Sequence, residues 1–170
     1  MAQISFTQHC RQEADTAALA QKLASSLNHL FQADQSAHLN ISLEGDLGAG
    51  KTTFARHLIQ GLGYEGRVKS PTYTLCEPYP LIIHSKTLAM NHFDLYRVRD
   101  PLEWQEAGFA EHFDEPGFCL VEWPEKAEGT LPAFDIEIHL MASADEYERN
   151  IIFQASSSQG MTVLDKMNTS

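Results

Sequence analysis

Gly45, Gly50, Lys51 and Thr52 stand at the spacing G-x-x-x-x-G-K-[ST], and each residue type has a mechanical reason for its place. Glycine lets the backbone wrap an anion closely, with no Cβ in the way. The amides of residues 48 to 52 would then point inward at the start of a helix, whose positive end favours negative charge. Lys51 would reach the β- and γ-phosphates of a nucleotide, and the Thr52 hydroxyl would ligate Mg²⁺. The run Gly45-Asp46-Leu47-Gly48-Ala49-Gly50-Lys51-Thr52 is therefore read as a phosphate-binding loop for Mg-ATP. A chance match is expected in roughly one chain of this length per hundred or more. An ordinary strand-to-helix turn would have no use for the lysine.

Hydrolysis also needs a carboxylate to order the metal and a group to position the attacking water, because catalysis of phosphoryl transfer is mainly electrostatic positioning. Glu122 follows the apolar run Phe118-Cys119-Leu120-Val121, and Asp94 follows the weaker run Met90-Asn91-His92-Phe93. Both are candidates for the metal and for catalysis, Glu122 the stronger, against the alternative that each is a solvated loop carboxylate. Ser70-Pro71-Thr72-Tyr73-Thr74 lies where a γ-phosphate-sensing switch would, or is a proline turn. Arg97 and Arg99 could stabilise transition-state charge, although surface arginines are common. His84, His92 and His112 show no metal-ligand spacing.

These residues need a strand before the loop, a helix after it, and strands ending at the carboxylates. Leu39 to Leu43 alternates apolar and polar residues, predicting the strand; Phe54, Leu58, Ile59 and Leu62 keep helical spacing up to Gly61 and Gly63. Upstream, a short apolar start at Ile4 to Phe6 precedes a helix capped by Asp15, with Leu19, Leu23, Leu27 and Leu30 on one face. Between Ser70 and Tyr96, Pro71, Pro78 and Pro80 predict short strands and turns. Asp100-Pro101 starts a helix with Leu102, Ala107, Phe109 and Phe113 as its apolar face, and Pro116-Gly117 stops it. Phe118 to Val121 reads as a buried strand, and Phe134 to Leu140 with Tyr147 to Phe153 as a hairpin. Ser156-Ser157-Ser158 then leads into a polar tail, so residues 1–158 form one domain and 159–170 a tail.

The chain has 170 residues, 43% hydrophobic and 21% charged, as expected of one folded domain. Twelve basic against 23 acidic residues give a net charge of −11. Such a surface repels a phosphodiester backbone, so tight direct binding to nucleic acid is not expected, and an anion must be held locally. Cys10, Cys76 and Cys119 form no C-x-x-C pair and suit a reducing compartment. No run approaches the roughly 18 apolar residues of a membrane span, and Met1-Ala2-Gln3-Ile4-Ser5 has no basic-then-apolar leader pattern, so a cytoplasmic protein with no membrane partner is expected.

Taken together, Leu43 to Thr53, Val68-Lys69-Ser70-Pro71-Thr72-Tyr73-Thr74-Leu75, His92-Phe93-Asp94-Leu95-Tyr96-Arg97 and Leu120-Val121-Glu122-Trp123-Pro124 resemble the TsaE (YjeE) family, ATPases of bacterial tRNA threonylcarbamoyladenosine biosynthesis. The resemblance runs from about Ile4 to Phe153, with a slightly longer connection around Pro80 to Met90. It implies that Gly45 to Thr53 contact Mg-ATP, with Lys51 on the phosphates and Thr52 on Mg²⁺. It further implies that Asp94 and Glu122 are the acidic metal-site and catalytic residues and that Trp123 lies close by. The implied partners are the TsaB–TsaD pair, which transfers threonylcarbamoyl to tRNA and leaves TsaE only indirect contact with it. Implied too is hydrolysis that is weak without them.

The competing readings are a small-molecule P-loop kinase, disfavoured because no arginine-rich lid is found, and a GTPase, disfavoured because Asn-Lys-x-Asp is absent. A regulatory module that binds ATP without turning it over stays open. The expected architecture is α/β: a three-layer P-loop NTPase fold, with a mostly parallel central sheet and antiparallel additions near Pro71 to Asp94 and Phe134 to Phe153.

Overall fold

The computed structural model describes residues 4–71 and 73–169. Seven strands, β1 (Ile4–Cys10), β2 (His38–Glu44), β3 (Cys76–Ile83), β4 (Lys86–Asp94), β5 (Gly117–Glu122), β6 (Ile136–Ala142) and β7 (Arg149–Ala155), form one sheet in the order β1-β7-β6-β2-β5-β4-β3. The central four, β6-β2-β5-β4, are parallel, while β3, β7 and β1 add antiparallel pairings at the flanks. Parallel strands are covered on both faces, and side-chain alternation shows how. In β5, Phe118 and Leu120 join a core with α1 (Glu13–Ala33), α2 (Lys51–Gly61) and α4 (Ser158–Thr169). Cys119 and Val121 point the other way, to a smaller core with Phe93, Trp104 and Phe113. That second layer comprises α3 (Pro101–Glu106) and two short 3-10 turns, Ala110–Phe113 and Pro124–Ala127. The three-layer expectation holds.

β3 is an edge strand, which is why it tolerates Pro78 and Pro80: proline has no N–H to give a second neighbour. His84 and Ser85 close the β3–β4 hairpin with positive φ of 50° and 64°, the twist a two-residue hairpin turn requires. This hairpin occupies the longer connection noted around Pro80 to Met90.

Three expectations need correction. α1 starts at Glu13, and Asp15 sits inside its first turn, reaching back to accept the Arg11 N–H at 3.0 Å rather than capping the end itself. The helix begun by Asp100 and Pro101 stops at Glu106, because the Ala107-Gly108 turn breaks it with a glycine φ of 79°. Leu102 is consequently 56% exposed, Trp104 takes the buried position, and Phe113 arrives from the following 3-10 turn. The polar tail is α4, whose Val163, Leu164 and Met167 are buried in the main core. The serines before it close a helix: Ser157 Oγ accepts the Gly160 N–H at 3.0 Å.

Candidate functional site

β2 delivers the chain to the carboxyl edge of the sheet at Glu44, and the glycine loop turns it back into α2 at Lys51. Gly45 has φ 153°, and a Cβ there would lie 2.5 Å from the Leu140 carbonyl oxygen, so no other residue fits. Gly48 and Gly50 adopt left-handed φ of 84° and 99°. Ala49 is buried beneath the loop, Ala49 N–H closes a turn on the Asp46 carbonyl at 3.0 Å, and Leu47 projects into solvent. Lys51, Thr52 and Thr53 are the first three residues of α2. Amides at such positions have no acceptor within the helix. Their arrangement suits an anion.

Lys51 is only 5% exposed. Its Nζ donates to the carbonyls of Gly45 at 2.5 Å and Asp46 at 3.1 Å, and sits 4.0 Å from the centroid of the Trp123 ring. Burial draws the ammonium below the ordinary lysine value, and the charges of Glu122, Asp94, Glu125 and Asp46 pull it back up. Trp123 holds its indole there from a left-handed backbone, φ 59° and ψ 49°, at the start of the second 3-10 turn. For a non-glycine residue that conformation costs about 1 kcal/mol or more.

Opposite the loop, parallel pairing sets Asp94 of β4 and Glu122 of β5 side by side. Glu122 is 2% exposed, and its Oε2 lies 2.6 Å from His92 Nε2. Asp94 is engaged through both oxygens: Oδ1 accepts the Tyr96 N–H at 3.0 Å, and Oδ2 accepts from the Ser70 hydroxyl. Thr72 of the expected switch segment lies outside the described residues, as do Met1, Ala2, Gln3 and Ser170. Tyr73 is exposed beneath the Arg97 guanidinium, 5.0 Å from its ring centroid. Arg97 and Arg99 line an open groove with Tyr96 and Lys126.

Arg149, at the start of β7, was missed by sequence reasoning. Its Nε donates to the Ala49 carbonyl at 2.8 Å and its Nη2 to that of Gly48 at 3.4 Å, while Nη1 holds the carbonyls of Glu146 and Glu148. An arginine 100 residues from the loop carries no local spacing signal; only the β6–β7 hairpin brings it there. With Thr53, Leu140 and Tyr147 it lines a cavity of about 290 Å³ beside Gly48 and Gly50. The sequence gives His92 no metal-ligand spacing, and its partner Glu122 is likewise invisible in one dimension.

Thr52, Asp94 and Glu122 carry hard oxygen atoms of the kind magnesium takes, and with the glycines of the loop and Lys51 they would suit a magnesium-bound polyphosphate. Strand, glycine loop and helix at the carboxyl edge of a parallel sheet define the class: an α/β protein of the P-loop NTPase fold.

Residues 10–151 match the family described as threonylcarbamoyl adenosine biosynthesis protein TsaE. The chain is 40% identical over 162 residues to the tRNA threonylcarbamoyladenosine biosynthesis protein TsaE of Haemophilus influenzae, covering 94% of this chain and 96% of that one. With the protein of that name from Bacillus subtilis it shares 41% over 115 residues, 68% of each chain. A crystal structure of YdiB from Bacillus subtilis superposes with a TM-score of 0.73 at 27% identity, covering 99% of this chain and 97% of that one. This chain belongs to the TsaE family, whose members are named for tRNA threonylcarbamoyladenosine biosynthesis.

Proposed function

We propose that the chain binds Mg-ATP at the loop of residues 45 to 53 and hydrolyses it to support threonylcarbamoyl transfer to tRNA adenosine by a TsaB–TsaD complex. One observation carries the nucleotide reading: a buried ammonium, Lys51, held on its own loop's carbonyls and facing the carboxylates Glu122 and Asp94. An ammonium so placed exchanges two carbonyls for phosphate oxygens with little movement.

Bound Mg-ATP supplies the phosphoryl group and the metal's charge neutralisation. Thr52 and Asp94 would hold the metal, with Ser70 fixing Asp94 in place. Glu122 Oε1, the oxygen not paired with His92, would orient the attacking water and accept its proton. Trp123 keeps bulk water from Lys51 by covering the ammonium. The cavity between Tyr147, Arg149 and Thr53 suits the nucleoside, since it opens directly beside the loop. A net charge of −11 fits a role in which a partner grips the tRNA, and the free thiols of Cys10, Cys76 and Cys119 fit a cytoplasmic site of action.

Co-purification with TsaB and TsaD in ATP, in ADP and without nucleotide tests the pathway: nucleotide-dependent association is expected, and none under all three conditions removes it. Glu122→Gln tests the chemistry. Nucleotide affinity should persist while phosphate release falls by about 100-fold or more. Undiminished release would instead leave a site that binds nucleotide without using this carboxylate.

A further inference from the structure

Among the described residues, one buried side-chain nitrogen or oxygen has no hydrogen-bond partner: Nδ1 of His92. The ring is fully buried on β4, on the same face as Leu88 and Met90 and between the register positions of Glu77 and Leu120. Its other nitrogen lies 2.6 Å from Glu122 Oε2, two residues further along the neighbouring strand. A buried N–H without an acceptor costs more than a buried lone pair without a donor. Any form with a proton on Nδ1 buries such an N–H. With a carboxylate oxygen as its partner, Nε2 is the nitrogen that carries the proton and donates to Glu122.

We propose that His92 is a positioning residue for hydrolysis, whose Nε2–H fixes one oxygen of the Glu122 carboxylate so that the other is aimed at the attacking water; this rests on the catalytic reading of Glu122. A single fixed N–H suits the task. It orients the carboxylate through one oxygen and leaves the other unengaged, which a bidentate arginine there would not do. The strand pair supplies the rigidity, since both residues are anchored in parallel ladder positions rather than in loops. Carboxylate misalignment on the scale of an ångström costs about 100-fold in rate.

The test compares His92→Gln and His92→Phe in the full chain, with and without TsaB and TsaD. Gln places an amide N–H near the position of Nε2; Phe keeps the ring volume and removes the donor. His92→Phe is expected to lower the hydrolysis rate about ten- to hundredfold, with ADP affinity within about twofold, and His92→Gln to restore most of the loss. Equal rates in both variants, or a loss of affinity in step with rate, overturn the proposal. Thermal unfolding identifies a variant that fails to fold. For that case the wild-type ring decides, through its ¹⁵N resonances. A protonated Nε2 and bare Nδ1, with the Nε2 signal moving in Glu122→Gln, support the donor role, and the reverse tautomer overturns it. If the wild type shows no hydrolysis in any condition, the catalytic reading of Glu122 fails by itself, and the same resonances still judge the hydrogen bond.

Discussion

Lys51 concentrates the physics of the site in one atom. Burial holds its pKa below the ordinary 10.5, with the surrounding carboxylates opposing that shift. The folded chain therefore releases this proton at lower pH than the unfolded chain does. Between the lowered value and 10.5 the unfolded state holds the extra proton, so this group's contribution to stability rises with pH across that window. On the proposed reading nucleotide affinity should move the other way, because the ammonium is the form that would meet phosphate. Calorimetric titration of Mg-ADP from pH 7 upward should show affinity declining before an unperturbed lysine would titrate; a flat profile up to pH 10.5 would contradict this. The indole at 4.0 Å supplies an optical counterpart. When Lys51 leaves Trp123 for a phosphate, tryptophan emission should change, and Trp123→Phe should abolish the change while the buried Trp104 stays silent. The thiols make a quieter prediction. Burial raises Cys119 and pushes Cys76 up to about 12, so maleimide labelling of the folded chain at pH 7 should be slow and should accelerate on unfolding.

At the scale of elements, how much could be read in advance depended on whether the signal was local. β2, the loop and α2 were legible because period-two alternation, glycine spacing and helical periodicity all lie within one short window. β5 was legible as an apolar run, since both its faces are buried. α4 was not: its buried residues Val163, Leu164 and Met167 are scattered among Ser, Thr and Asn, and the cap Ser157 looked like linker. Its value to the fold is testable. Leu164→Ala should destabilise the chain by about 2–5 kcal/mol, measured by denaturant unfolding, whereas a loosely attached segment would leave the midpoint unchanged. The arm formed by Arg149 is the long-range counterpart. Its contacts to Gly48 and Ala49 join β7 to the loop, a relation no sequence window contains. Arg149→Met should raise hydrogen exchange of the loop amides and weaken nucleotide binding without unfolding the sheet.

For the molecule as a whole, local and global charge point in opposite directions. A surface of −11 repels polyanions, while the proposed site would draw a triphosphate to one edge through amides, a helix end and one lysine. The two are compatible because screening confines the repulsion to about 8 Å at physiological salt and the cradle acts in contact. The chain alone should accordingly show no tight, salt-sensitive binding to tRNA, and filter binding between about 50 and 200 mM salt would reveal any phosphate contacts as a steep slope. The most direct measurement is calorimetric titration of Mg-ATP into the wild type and into Lys51→Ala. The account predicts saturable one-to-one binding to the wild type, dependent on the metal and weakened about 100-fold or more by the substitution. No binding to the wild type, or equal binding to both proteins, would contradict it.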